Sequence, residues 1–200
     1  MDELVTLEPW AQWLILVPLS GLLLYSAWTD WKVRKVYNKV TYPAMVVGLA
    51  LHLIVQGLPG LGDGAIGFVL AFVIGLVMMP FGWIGGGDVK LLMAVGAALG
   101  VQALGEITFY SVWIGAILGL VMAIANGYLI EMLKKMGRYI RGWYRLIIYK
   151  QAVLKESLEK DERNKVPYAI AILGGAILTY TDAVYQWPQF WDWYTTGIGF

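Results

Sequence analysis

The chain has 200 residues, 59% of them hydrophobic and only 14% charged, with a mean hydropathy of +0.64; a water-soluble globule usually carries about 25% charged residues, so this is an integral membrane protein. Zero cysteines exclude a disulfide framework, a thiolate metal site and a cysteine nucleophile, and the single histidine, His52, excludes a histidine metal cluster. The net charge of +1 conceals a strong segregation of charge along the chain.

A helix needs about 20 predominantly apolar residues to cross a bilayer. Cutting the chain at its charges predicts six spans, at about 9–29, 40–60, 64–84, 88–106, 107–130 and 166–187, in one membrane-embedded domain covering 1–200. The first span follows Asp2, Glu3 and Glu8 and no Lys or Arg, unlike a cleavable signal peptide, so it is expected to persist. The fourth and sixth reach spanning length only by taking in a flanking acid, Asp88, Glu106 or Asp182. All 15 basic residues fall in alternate connections: Lys32, Arg34, Lys35 and Lys39, then Lys90, then ten between the fifth and sixth spans. Lys and Arg in short loops stay on the cytoplasmic side. The predicted fold is therefore all-α, with six transmembrane helices and both termini outside. The tail residues Trp187, Trp191, Trp193 and Tyr194 suit an outer interfacial belt.

The connection 131–165 begins with a helical period. Leu133, Met136, Tyr139, Ile140, Trp143, Tyr144 and Ile147 share one face, and Lys134, Lys135, Arg138, Arg141 and Arg145 share the other. This predicts an amphipathic basic helix on the inner leaflet or a cytoplasmic continuation of the fifth span. Further along, Glu156, Glu159, Asp161 and Glu162 form an acidic cluster, either a solvated loop paired with Lys155, Lys160 and Arg163 or a docking point for a basic segment.

Two acids, Asp30 and Asp88, lie in or beside apolar segments on the basic side. An ionisable group within the membrane costs about 2.5 to 3.5 kcal/mol on insertion scales, so two at similar depth call for a purpose. Asp88 closes the run Gly85-Gly86-Gly87-Asp88, whose first three residues lack side chains. That run allows another backbone close approach, and Asp88 can equally cap a helix N-terminus. Asp30 is followed by a basic stretch leading to Asn38.

Three stretches carry a family resemblance: Asp30 to Asn38; Gly85-Gly86-Gly87-Asp88-Val89-Lys90-Leu91, similar to Gly-x-Gly-Asp-x-Lys-Leu; and Val166-Pro167-Tyr168-Ala169-Ile170-Ala171, similar to a Pro-Tyr/Phe-x-x-Ala helix opening. In order and spacing the chain resembles the type IV prepilin peptidases, intramembrane aspartyl proteases of the GxGD type, including their short pilin-assembly and archaeal preflagellin branches. The resemblance runs from about Tyr25 to Gly175. Tyr37 departs from it, standing where that family commonly has proline.

The resemblance implies that Asp30 and Asp88 are the catalytic pair and that the chain removes a basic leader from a prepilin-like or preflagellin-like precursor at the cytoplasmic face of the inner membrane. It implies no cofactor, metal or nucleic-acid partner. The methyltransferase domain of the long forms is not expected, because Glu8 is followed at once by the first span. Two carboxylates suffice for hydrolysis. Like charges a few ångström apart do not both ionise, so the pair holds one proton; the ionised member activates water while the other polarises the carbonyl.

Around the pair, Gly85, Gly86 and Gly87 are expected to receive an extended substrate strand. Lys90 either lowers a carboxylate pKa, binds a substrate carboxyl or anchors the inner face, and Asn38 either binds substrate or caps the second helix. Asn126 is expected to bond to a neighbouring helix, and His52 has no assigned role. The competing readings are a small proton- or cation-coupled transporter, which the absence of an internal repeat disfavours, and a non-catalytic pilus assembly subunit, which would not need both acids.

Overall fold

The computed structural model describes residues 8–79, 84–127, 129–131, 134, 137, 141 and 166–185. Among them the chain forms four long helices and no strand: α1 (Pro9–Val33), α2 (Asn38–Met78), α3 (Gly86–Ala125) and α4 (Tyr168–Tyr185). Within these residues α1, α2 and α3 are long and apolar enough to cross a membrane, and α4 is a shorter apolar helix. Large apolar side chains face outward along them, including Trp13, Val46, Ile54, Ile66, Leu76 and Ile117. In water such a surface would drive aggregation, whereas against lipid it costs nothing.

Helix α2 has 41 residues and α3 has 40, which as straight helices would each be about 60 Å long, twice the hydrocarbon thickness of a bilayer. Neither is straight. Each contains one glycine with a positive φ: Gly57 (φ 68°, ψ −152°) and Gly100 (φ 78°, ψ −169°). No L side chain adopts this conformation readily, so the α-helical hydrogen-bond ladder stops there.

At Gly57 the chain folds back on itself. His52 Nδ1 lies 2.7 Å from the Gly60 carbonyl oxygen, although eight residues of continuous helix advance about 12 Å. Because a carbonyl only accepts, that ring nitrogen carries the proton. Pro59 follows the break, where its missing N–H is no loss to a restarting helix. At Gly100 the restarting helix is held differently: Asp63 Oδ1 accepts the Val101 N–H at 3.3 Å, so a carboxylate of α2 caps the second half of α3.

These breaks correct the expected boundaries. Asp63 and Glu106 were expected to separate neighbouring segments, but the helix breaks lie at Gly57 and Gly100. A charge marks a polar end, whereas a break requires a residue that tolerates the backbone angles. The first helix also runs to Val33, past residue 29.

The centre of the molecule is the first half of α3. Val89, Leu91, Leu92, Ala94, Val95, Ala97, Ala98 and Leu99 are all buried, so this helix is apolar all round and is enclosed by protein. Small residues let α2 wrap it. A Cβ on Gly48 or Gly64 would fall 2.9 Å from backbone atoms of Ala97 or Ala98, and one on Gly67 would fall 2.6 Å from the Gly96 carbonyl oxygen. Gly48 and Gly64 thus reach the same turn of α3 from either side of the Gly57 break, as small-residue packing in membranes allows. The second half of α3 packs along α4, with Gly119 near Val166, Gly115 near Tyr168 and Gly175 near Ile107 and Ser111. Helix α1 closes the bundle mainly against α4.

Glu131, Lys134, Gly137 and Arg141 are helical, but most of the expected amphipathic helix, the acidic cluster Glu156 to Glu162 and the Trp-rich tail lie outside the described residues. Among the described residues Asn126 bonds within its own helix and not to a neighbouring one: its Nδ2 donates to the Met122 carbonyl at 2.8 Å, closing the helix C-terminus.

Candidate active site

The loop chemistry of three helix ends brings the candidate residues together. Helix α1 ends because Arg34 takes the left-handed conformation (φ 54°, ψ 38°), its N–H bonding the Asp30 carbonyl at 3.0 Å. Asp30 therefore sits in the last turn of α1, 7% exposed. Its side chain reaches another helix: Oδ2 accepts the Ala169 N–H at 3.1 Å. Pro167 precedes the first residue of α4, so Ala169 carries one of the N–H groups that a helix start leaves without an internal partner. Asp30 satisfies it and gains a charge-assisted bond in return.

Asp88 is the third residue of α3. Its Oδ2 accepts the Gly85 N–H at 3.2 Å, which makes it a cap of its own helix, as one of the two expected readings had it. The other oxygen, Oδ1, is buried with no hydrogen-bond partner among the described residues. Asp88 lies within electrostatic reach of the Asp30 carboxylate. Asp30 thus meets the opening turn of α4, while Asp88 caps the start of α3 within electrostatic reach of Asp30, from helix ends more than fifty residues apart in sequence.

The glycines have distinct roles. A Cβ on Gly85 would approach Asp88 Oδ2 to 3.0 Å, so a side chain there would crowd the carboxylate. A Cβ on Gly87 would meet the Val36 Cβ at 3.1 Å, because the extended segment after α1 lies against it. Gly85 and Gly86 are exposed. Gly87 is half-buried beside Val36, so Gly85 and Gly86 are the more open of the three glycines.

Lys90 and Asn38 meet each other. Lys90 Nζ donates to Asn38 Oδ1 at 2.9 Å and stands 5.1 Å from the centroid of the Tyr42 ring. The cap of α2 is Tyr37, with no side-chain cap bond, so the expected capping role of Asn38 is corrected. The pair ties the start of α2 to the start of α3 and so braces the turn that carries Asp88. His52, to which the sequence assigned nothing, holds the reversal at Gly57.

Two features escaped the sequence reading. One is the Ala169 N–H, whose signal was Pro167 just ahead of an apolar helix. The other is Tyr168, 5% exposed, whose hydroxyl is buried without a hydrogen-bond partner among the described residues and lies within electrostatic reach of Asp88. Tyr168 was visible only as part of the helix-opening motif.

Comparison with known proteins follows the same residues. The family model for the type IV leader peptidase family matches residues 17–120, which include Asp30, Asn38, Gly85 to Asp88 and Lys90. The chain is 29% identical over 167 residues to a prepilin leader peptidase/N-methyltransferase of Bacillus subtilis (strain 168), covering 82% of this chain and 54% of that protein. It is 29% identical over 155 residues to one from Aeromonas hydrophila, covering 72% of this chain and 52% of the relative, and 30% identical over 155 residues to one from Aeromonas salmonicida (strain A449), with the same coverage. The chain spans about half the length of the curated relatives it matches. No solved structure matches it. With the motif glycines, both carboxylates and the lysine inside the matched region, the chain belongs to the type IV leader peptidase family.

Proposed function

We propose that this chain is an intramembrane aspartyl endopeptidase that removes the basic leader from type IV prepilin-like or preflagellin-like precursors at the cytoplasmic face of the inner membrane. What supports the reading is the pair Asp30 and Asp88, within electrostatic reach of each other and each anchored through one oxygen by a backbone N–H at a helix opening, Asp30 at that of α4 and Asp88 at that of α3. This arrangement leaves Asp30 Oδ1 and Asp88 Oδ1 for chemistry. With one shared proton, the ionised carboxylate takes a proton from water as its oxygen attacks the scissile carbonyl carbon, and the protonated one donates to the carbonyl oxygen. Collapse of the tetrahedral intermediate passes a proton to the leaving nitrogen and breaks the C–N bond. The substrate must be extended here, since a helix keeps its carbonyls in internal bonds, and the exposed Gly85 and Gly86 backbone suits such a strand. Incubating the full chain in membranes with prepilin-like precursors tests this directly: a size shift that requires Asp88 is expected, and its absence with every precursor would remove the assignment.

Six membrane crossings accompany this reading, α1 and α4 each crossing once and α2 and α3 each crossing twice about Gly57 and Gly100, with both termini outside. The basic residues in alternate connections and the positive-φ breaks at Gly57 and Gly100 support it. Single cysteines placed in this cysteine-free chain should report it: Lys35→Cys is expected to react with an impermeant thiol reagent only from the cytosol, and Gly62→Cys, where a side chain meets open space, only from outside. Labelling of both from one side would refute the double crossing of α2.

The acids Glu156, Glu159, Asp161 and Glu162 supply a docking point for a basic leader. Replacing all four by Gln and Asn is expected to raise KM for a basic leader at low salt while leaving kcat nearly unchanged, and to matter less as salt screens the charges. Unchanged KM at low salt would place leader docking elsewhere.

A further inference from the structure

Among the described residues three buried side-chain atoms lack a hydrogen-bond partner, and two of them are Asp88 Oδ1 and the hydroxyl of Tyr168, the residue next to the Ala169 N–H that holds Asp30 and within electrostatic reach of Asp88. A buried donor without a partner costs free energy, and native proteins rarely leave one so without a use. We propose that Tyr168 is a third catalytic residue of this site, its hydroxyl donating to the scissile carbonyl oxygen beside Asp88 and holding that oxygen as it becomes an oxyanion. The inference rests on the peptidase reading above and goes beyond it.

Tyr168 is placed for this by two fixed points. Its ring lies against the backbone of α3 at Gly115, where a Cβ would approach the ring Cε2 to 2.8 Å. The next residue, Ala169, is tied to Asp30 by its N–H. The opening turn of α4 therefore addresses both aspartates: its backbone holds Asp30, and its first side chain lies within electrostatic reach of Asp88. The phenol neither loses its proton nor forms a bond with substrate. It donates one hydrogen bond that strengthens as charge builds on the carbonyl oxygen, the condition under which a fixed donor accelerates a reaction and does not merely tighten binding. The resembled helix opening admits Phe as well as Tyr, so ring and hydroxyl are separable. The ring fills the Gly115 slot, and the hydroxyl is an accessory donor whose loss slows catalysis without abolishing it.

Tyr168→Phe keeps the ring and removes only the oxygen. Assayed in the full chain against a cleaved precursor, it is expected to lower kcat about tenfold, the scale of one neutral hydrogen bond realised in the transition state, with KM within twofold and an unchanged unfolding midpoint. Gly115→Ala, which displaces the ring, is expected to slow the parent but to add little in the Tyr168→Phe background, since both act through the same hydroxyl. A kcat within twofold of the parent for Tyr168→Phe, or fully additive effects of the two substitutions, would overturn the role of Tyr168 while leaving the dyad standing. Activity that survives Asp88→Asn would instead overturn the peptidase reading, and the Tyr168 inference with it.

Discussion

Asp30→Asn and Asp88→Asn are each expected to insert and fold as the parent does and to lose cleavage by at least about a thousandfold, within the range that one general acid or base typically supplies. The substitution conserves volume, and an amide oxygen can still accept the Ala169 or Gly85 N–H that holds the native carboxylate. What it removes is the charge and the exchangeable proton. Because a dyad that shares one proton acts as a unit, either single loss should disable it, and the double variant should be no slower than the slower single. Folding can be checked separately through the helix openings: if Asp30→Asn lowered the unfolding midpoint by many degrees, lost activity would report a lost cap on α4 in place of lost chemistry. The decisive comparison is cleavage at matched folded protein. More than a tenth of parental activity in either single variant is incompatible with a two-aspartate mechanism.

How far the sequence could carry this site depended on the kind of information each residue holds. Charges and apolar runs are local properties, so the helical membrane character, the one-sided basic residues and the two candidate acids were legible in the sequence alone. The breaks were not. Gly57 and Gly100 are two glycines among 24, and only packing distinguishes them from Gly67 or Gly96, which remain helical. Asp63 and Glu106 drew attention as charges, yet Asp63 turned out to secure the break in the other helix through Val101. Likewise Asn38 read as a cap because it opens a helix, whereas its partner Lys90 lies 52 residues away. Side-chain partners across the bundle follow from the closure of three helices around α3, and no periodicity encodes them. The Tyr168 hydroxyl is the clearest case: its sequence neighbours are apolar, and only the fold brings it within electrostatic reach of Asp88.

The same closure around α3 sets the second large expected effect. Gly96→Ala should destabilise the protein and slow cleavage, although in an isolated helix Gly→Ala gains about 1 kcal/mol. A Cβ on Gly96 would lie 2.5 Å from the Gly67 carbonyl oxygen and 3.1 Å from the Phe68 N. Both are backbone atoms, which cannot turn aside as a flexible side chain does, so relief requires α2 and α3 to separate. Overpacking typically costs about 1–3 kcal/mol, and contact with backbone puts this site at the upper end, so the clash outweighs the propensity gain. Separation at this point also reaches the site. Two turns nearer Asp88, Val89 packs on Gly75 of α2, and the Lys90 to Asn38 bond spans the same pair of helices. Gly67→Ala inserts a methyl group into the same gap and should act alike, and the double variant should cost less than the sum, because one separation serves both. Gly21→Ala, where a Cβ meets nothing within 4 Å, provides the comparison and is expected to unfold at or above the parental midpoint. If Gly96→Ala in detergent unfolds no earlier than Gly21→Ala, the glycine contact between α2 and α3 is not what holds the turn bearing Asp88 against the rest of the bundle.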